Sequence, residues 1–288
     1  MSPVCVLCGG DMGRELLRIT QPDRFERHVG IGGQDYARTW VECGSCGVAT
    51  NLMAPEDRVR LDSLASGYYE VDFAGSSISD KFAKVMSLLP ECSDNVQRVA
   101  RIQGFMNTYL PVSAMQMRAL DIGAGTGVFL SRFLDMAKGH NWSAHAVEPD
   151  AVAAEHLRRL GRFPVTQALF SAELELGDFD LVTLNKVVEH LADPIGLVQQ
   201  AASALSAAGV LYVELPDKLT VFHRPPSDNI LGALHYHLYD PVSIGVLLDR
   251  AGLVTLKTER VFEPSGKITI AAFATTTAAV NNLAAARS

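Results

Sequence analysis

The chain has 288 residues, 48% of them hydrophobic and 20% charged, which suits a soluble globular protein of one large domain, or of a sizeable domain with a small companion. No apolar run approaches the roughly 20 residues of a membrane span, and the start, MSPVCVLCGG, lacks the basic and apolar regions of a secretory signal, so a cytoplasmic protein without a membrane partner is expected. The formal charge of −7 counts against a large nucleic-acid partner, which needs a basic face to displace counterions; a small molecule is the expected partner.

Four of the five cysteines fall before residue 50, as two CxxC pairs: Cys5 and Cys8 in CVLCGG, Cys43 and Cys46 in CGSCGV. A thiolate pair at this spacing grips one metal ion from a tight knuckle, and the glycines that follow, Gly9 and Gly47, permit the turn. Two knuckles supply four sulfur ligands, the set of a closed structural zinc site. Redox pairs or two disulfides fit less well, because no strand-helix context is visible and a reducing compartment disfavours disulfides. The 34 residues between the pairs predict a hairpin or long loop. Residues 1–50 thus form a small zinc-ribbon-like module, with the metal substituting for a core that so short a segment cannot bury. Cys92 stands alone and reads as an incidental thiol.

A linker follows over 51–115. Residues 51–67 read as a short helix ending at Gly67, and SGYYEVDFAGSS presents Tyr68, Tyr69 and Phe73 in a loop suited to a lid over substrate. Residues 79–89 and 94–110 carry helical spacing.

From residue 117 strands and helices alternate. MRALDIG, SAHAVEP, FPVTQA, FDLVTLN and GVLYVELP are strands, and VFLSRFLDMAK, DAVAAEHLRRLG and PIGLVQQAASALS are the intervening helices. PVSIGVLLDRAG is a further helix, followed by LVTLKTERVF and KITIAAFAT, two strands whose short connecting turn makes them antiparallel neighbours. The pattern predicts an α/β, doubly wound, largely parallel sheet over 116–275. Residues 276–288, rich in Thr, Ala and Asn, read as a disordered tail.

Gly123, Gly125 and Gly127 form GxGxG between the first strand of this core and its helix, and would let a ligand approach bare backbone. The position that would complete a dinucleotide fingerprint is Val128, and no GKS or GKT follows, so neither that fingerprint nor a P-loop is present. Asp121 ends the first strand, and Glu148 ends the second, 21 residues after Gly127. A carboxylate at the second position can accept both hydroxyls of a ribose; one at the first would repel pyrophosphate but suits an ammonium group.

A ribose with a cationic amino-acid tail and no phosphate is S-adenosylmethionine, and on these residues the chain resembles the class I methyltransferase family. LDIGAGTG resembles that family's first motif, AVEP its second and FDLVTLNKVVEHLADP the segment around its fourth strand; the strand-turn-strand ending matches too. The resemblance implies a seven-stranded Rossmann-like methyltransferase sheet with its last strand antiparallel. It places Asp121, Gly123, Gly125 and Gly127 along the methionine and ribose, Glu148 on the ribose hydroxyls, and Pro149 and Asp150 beside the adenine. Leu169 and Phe170 become candidates for the adenine edge, and Asn185 for the neighbourhood of the sulfonium.

For the chemistry, Glu189 and His190 follow the fourth strand, and His223, His235 and His237 lie in the long segment PDKLTVFHRPPSDNILGALHYHLYDP after the fifth, where a substrate-covering insertion is expected. His190, His235 and His237 are candidate general bases; Tyr68, Tyr69, His223, Arg224, Tyr236 and Tyr239 are candidate substrate contacts. The double-knuckle front end resembles bacterial enzymes that modify nucleotide sugars or natural products. Sugar C-methyltransferases of that group carry a further C-terminal domain that does not follow here, so O-methylation of a nucleotide sugar, polysaccharide precursor or secondary metabolite is expected ahead of C-methylation. Two alternatives stay open: an RNA base methyltransferase using the zinc module as reader, disfavoured by charge and by NKVVEH in place of an amino-methylation motif, and a non-catalytic S-adenosylmethionine-binding module.

Overall fold

A computed structural model describes residues 3–66, 76–109, 116–137 and 141–285. Tyr68, Tyr69 and Phe73, the expected lid, lie outside the described residues. Two sheets organise the chain. The N-terminal strands β1 (Met12–Ile19), β2 (Arg38–Cys43) and β3 (Ala49–Leu52) form an antiparallel meander, with helix α1 (Arg24–His28) between the first two. Then come α2 (Pro55–Asp62), α3 (Ile78–Met86) and α4 (Asp94–Tyr109). The larger sheet uses β4 (Gln116–Ile122), β5 (Asn141–Val147), β6 (Val165–Thr166), β7 (Phe179–Asn185) and β8 (Leu205–Pro216), all parallel. Helices α5 (Val128–Met136), α6 (Ala151–Leu160) and α7 (Pro194–Ser203) connect them. After β8 a long insertion holds α8 (Thr220–His223) and the two-residue β9 (His237–Leu238). Helix α9 (Pro241–Arg250), strands β10 (Leu253–Phe262) and β11 (Ile268–Thr276) and helix α10 (Thr277–Ala285) complete the chain.

The order in the large sheet is β10-β11-β8-β7-β4-β5-β6, with β11 antiparallel to both neighbours. The seven strands and the antiparallel ending agree with the sequence reading. Alternation along each strand sends side chains to two cores: Leu120 and Ile122 of β4 with Leu211, Val213 and Leu215 of β8 on one face, Ala119 with Val210 and Tyr212 on the other. The first core also takes in Cys5, Leu7, Cys43, Cys46 and Val48, together with Ile244 and Leu247 of α9, so the cysteine knuckles are seated on the large domain.

Two boundaries differ from the sequence reading. The N-terminal sheet does not close at residue 50: β9 joins it from the insertion, Thr50 opposite His237 and Ala49 opposite Leu238, and Trp40 is buried among Val221, Ile230 and Leu231. The expected tail is helical from Thr277 to Ala285. Ala279 is fully buried and its N–H is capped by the Thr276 hydroxyl at 3.2 Å; an alanine-rich run needs little more than such a seat, because alanine loses no side-chain entropy in a helix. Among the described residues no helix is long and apolar enough to cross a membrane.

Candidate active site

In an open parallel sheet, ligands bind beyond the carboxyl ends of the strands where the winding reverses. Here that point lies between β4 and β7, since β4 pairs with β5 on one side and β7 on the other. Asp121 stands there, 1% exposed, its Oδ1 accepting from Thr183 Oγ1 at 2.6 Å and Asn185 Nδ2 at 2.9 Å. Burial drives its pKa up to about 7 despite those two donors. Asn185 Oδ1 is buried without a partner, an acceptor beside a carboxylate at the strand tips.

The loop after β4 turns back with Gly123, Gly125 and Gly127 all at positive φ. At Gly123 (φ +74°) a Cβ would come within 2.6 Å of Val187 Cγ2, so the residue is required both by its backbone angle and by the approach of the segment after β7. Its N–H donates to Val147 O at 2.8 Å, tying the loop to β5. Glu148 follows β5, 4% exposed; its two oxygens accept from the N–H groups of Gly125 (2.7 Å) and Asp150 (3.0 Å). Burial raises its pKa and these donors partly offset that. A carboxylate oxygen accepts two donors, so Glu148 can hold the loop and still receive hydroxyls. Asp150 caps α6 through Ala153 N–H, and Pro149 beside it is exposed. The donors and acceptors fit S-adenosylmethionine: two carboxylates for ribose and ammonium, an unpartnered amide oxygen and a glycine cradle.

Phe170 departs from expectation. Leu169 is 78% exposed, and Phe170 packs on the main core and lines a small pocket with Ser203 and Ala204, the residues preceding β8. That is the amino end of the strands, away from the glycine loop.

After β7, Lys186 adopts φ +59° and a short 3-10 turn spans Val188–His190. This turn meets the insertion: Tyr236 N–H donates to Glu189 O at 2.7 Å, and His190 Nδ1 lies 3.2 Å from Leu234 O. His235 Nδ1 lies 2.7 Å from Ile230 O, and its ring meets that of His190 edge-on with centroids 4.6 Å apart. Burial holds His190 neutral, with its pKa down to about 4, and depresses His235 as well. Both imidazoles line a cavity of about 650 Å³ between the N-terminal module and the insertion, with Arg18, Arg24 and Arg27 also on its wall.

The remaining candidates stand elsewhere. His237 is a sheet residue of β9, 3% exposed, bonded through Nδ1 to Thr50 Oγ1 at 3.2 Å, and it does not line the cavity. Tyr236 donates its hydroxyl to Asp62 at 2.5 Å beneath the Arg58 guanidinium, Arg224 is paired with Asp228 at 2.7 Å, and His223 ends α8; none of the three lines the cavity. Tyr239 is fully buried in the main core.

Sequence reasoning missed the buried cluster behind the site. Arg98 of α4 grips Glu214, near the end of β8, with two bonds (Nε to Oε2 2.8 Å, Nη2 to Oε1 2.5 Å); Arg101, Tyr212 and Lys186 also reach that carboxylate. Arg98 and Arg101 share one face of a helix at i and i+3, but nothing in the sequence names their partner.

At the N-terminus the four cysteine sulfurs lie within 4.8 Å of one another, with Cys5–Cys46 and Cys8–Cys43 each at 3.5 Å, far beyond a disulfide bond. The knuckles share one backbone turn, Gly9 N–H to Cys5 O and Gly47 N–H to Cys43 O; Gly10 N–H also donates to Sγ of Cys8, the second thiol of its pair, and Ser45 N–H to Sγ of Cys43, the first of its pair. Four thiols converging with backbone donors at their sulfurs fit a tetrahedral metal such as zinc.

This fold is found in other proteins. A family model described as a methyltransferase domain matches residues 89–258, and the chain belongs to that family. Among curated proteins, the Mycobacterium tuberculosis protein named "Probable S-adenosylmethionine-dependent methyltransferase Rv3030" is 35% identical over 112 residues, 38% of this chain and 40% of that protein. The match thus spans about two fifths of the relative's length. Among solved structures, magnesium protoporphyrin IX methyltransferase from Synechocystis PCC 6803 with bound SAH aligns with TM-score 0.54 at 13% identity, over 75% of this chain and 100% of that one. The Burkholderia thailandensis 1,6-didemethyltoxoflavin-N1-methyltransferase aligns with TM-score 0.52 at 19% identity, over 85% and 97%. At these identities the structural likeness is one of fold.

Proposed function

We propose that the protein is an S-adenosylmethionine-dependent methyltransferase acting on an oxygen, or a carbon, of a small acceptor such as a nucleotide sugar, polysaccharide precursor or secondary metabolite. The observation that carries this is the meeting of Asp121 and Asn185 at the switch point, beside Glu148 and the glycine loop; His190 and His235 line a cavity formed by the turn after β7 and the insertion. S-adenosylmethionine supplies an activated methyl on a sulfonium. Glu148 holds the ribose hydroxyls, Asp121 carries charge opposite the ammonium, and Asn185 offers its free oxygen beside it. The insertion and the N-terminal module cover the acceptor and exclude water, which favours in-line transfer. His190 and His235, neutral at physiological pH, are the groups that meet the acceptor's hydroxyl.

Cys5, Cys8, Cys43 and Cys46 are assigned a structural Zn2+. The ion would be closed to substrate by its four ligands, and its effect is to fix β2 and β3, against which β9 and the insertion are built.

The test is transfer from methyl-labelled S-adenosylmethionine into a cell extract separated into small metabolites, RNA and protein. Label in the small-molecule fraction is expected. Label in RNA would move the acceptor to a nucleic acid, and cofactor binding with no transfer into any fraction would favour a non-catalytic module.

A further inference from the structure

The cavity of about 650 Å³ is bordered by four arginines, Arg18 of β1, Arg24 and Arg27 of α1 and Arg38 of β2, against two acids, Asp23 and Asp228. Both acids are already engaged. Asp23 accepts from the N–H groups of Phe25, Glu26 and Ala233, and Asp228 from Ile230 N–H and the Arg224 guanidinium. Arg38 is engaged too: 2% exposed, it pairs with Glu26 at 3.3 Å and donates to Leu231 O at 2.6 Å, so it builds the wall.

Arg18 and Arg27 differ. Both are exposed, and among the described residues neither side chain has an acidic partner. Arg27 donates once, from Nη1 to Pro22 O at 2.5 Å. Each guanidinium therefore keeps most of its five N–H donors for something else. The chain as a whole carries −7, so cations without acids are not the general character of its surface. Nor does the rest of the lining neutralise them: Gln21, Ser227 and Asn229 are uncharged, and His190 and His235 are imidazoles that burial keeps neutral. A concave wall of one sign, faced by neutral groups, concentrates anions. The two signals also come from different parts of the chain. The cations belong to the N-terminal module, the imidazoles to the turn after β7 and the insertion.

We propose that Arg18 and Arg27 bind a phosphoryl group of the acceptor, which makes the N-terminal module the part of the protein that recognises the substrate. This rests on the methyltransferase reading of the same site and narrows its acceptor to a phosphorylated small molecule. A phosphoryl group suits the pair better than a carboxylate, because its oxygens can take a fork of donors from each of two guanidinium groups while a carboxylate is filled by one. With its anion held on the module, the acceptor has its other end directed to the side of the cavity that carries His190 and His235. The volume is within the range of pockets that enclose a small molecule.

The experiment is calorimetric titration of the full-length protein, first with S-adenosylmethionine and then with inorganic pyrophosphate, uridine diphosphate and glucose 1-phosphate. Saturable binding of one phosphate probe per chain is expected, weakening as salt is added. Arg18→Gln and Arg27→Gln should each weaken it about tenfold, the scale of a charge-assisted hydrogen bond, with cofactor binding and circular dichroism unchanged. Arg159→Gln, at an exposed position of α6 outside the cavity, should leave it as it was. Uridine diphosphate binding more tightly than pyrophosphate points to a nucleotide-linked acceptor, and glucose 1-phosphate binding more tightly points to a sugar phosphate; the phosphoryl site stands in both cases. No saturable binding of any probe at millimolar concentration, binding unaltered in both cavity variants, or an equal loss in Arg159→Gln overturns the proposal. The two readings fail separately: cofactor binding without phosphate binding removes the anion site alone, and arginine-dependent phosphate binding without cofactor binding removes the methyltransferase reading.

Discussion

Asn185 donates its side-chain amide to Asp121 Oδ1 across 2.9 Å, from the tip of β7 to the end of β4. The bond spans the point where the sheet reverses its winding, and it leaves Asn185 Oδ1 without a partner and Asp121 with a pKa near 7. The strand ends thus carry a carboxylate that burial keeps on the edge of ionisation, next to an unused acceptor, an arrangement completed by a cationic ligand.

From this follows a pH dependence of cofactor binding. The free protein must ionise Asp121 before it can face an ammonium, and its pKa lies above the ordinary value of 3.8. S-adenosylmethionine affinity should therefore be flat above pH 7 and fall toward tenfold per unit below it. Asp121→Asn should remove that slope and weaken binding by about 1.5–3 kcal/mol, the range for a hydrogen bond to a charged group, or roughly 10–150-fold. Calorimetric titration between pH 5.5 and 8.5 reads both effects, and an unchanged slope in the variant would assign the titration to another group.

Glu214 behaves oppositely. Burial alone would raise its pKa, but the Arg98 guanidinium and then Lys186 outweigh burial and hold it well below its ordinary 4.5. A depressed carboxylate contributes stability above its unfolded value, and that contribution is lost as pH falls below about 4.5. Glu214→Gln leaves Arg98 buried without its anion and should cost about 3–5 kcal/mol in urea denaturation at pH 7. The gap to the unmutated protein should narrow as the pH is lowered toward 3.

β9 of the insertion pairs with β3, and β2 and β3 flank the second cysteine knuckle, so a metal at the cysteines should hold the insertion in place. One zinc per chain is expected by elemental analysis, and Cys46→Ser should abolish it. Chelation should lower stability by about 3 kcal/mol or more, roughly 6–12 °C for a chain of this size. Limited proteolysis should then cut within residues 217–240 before the large sheet; simultaneous loss of both would show that the insertion does not depend on the metal.

The large sheet was legible because each of its elements is local: strand alternation, the glycine loop and the two acidic strand ends are read within a few residues of one another. The small sheet was not. Thr50 pairs with His237 across 187 positions, and two residues of strand carry no periodicity of their own. That pairing makes His237 a sheet residue rather than a base, while its neighbour His235 reaches the cavity, a difference that composition could not supply. Glu189 stands beside His190 after the fourth core strand, and its burial is completed by the insertion, whose Tyr236 N–H bonds its carbonyl. Arg98 and Glu214 were invisible for the same reason: charge in a sequence is read as surface until a partner 116 residues away is found.

Lys218 offers the sharpest test of how module and core are joined. Its ammonium lies 2.6 Å from each of Glu42 Oε1, Asp240 Oδ2 and Gly47 O, linking β2, the cap of α9 and the second cysteine knuckle. Burial works against its charge, but Asp240 and Glu42 raise its pKa nonetheless, and it holds both carboxylates below their ordinary values. Lys218→Met removes the shared cation and leaves Asp240 facing Gly47 O and Glu42, though Glu42 keeps Arg14 at 2.6 Å. Because the three groups are partly solvated, the cost should be about 2 kcal/mol, below the 3–5 of a fully buried pair. Both carboxylates have depressed pKa values, so the stabilisation is present above about pH 4.5 and disappears as they protonate. Denaturation of Lys218→Met and of the unmutated protein should accordingly differ at pH 7 and converge below pH 4. Asp240→Asn in the Lys218→Met background should recover part of the loss, and additivity of the two substitutions would show that they are not coupled through this contact.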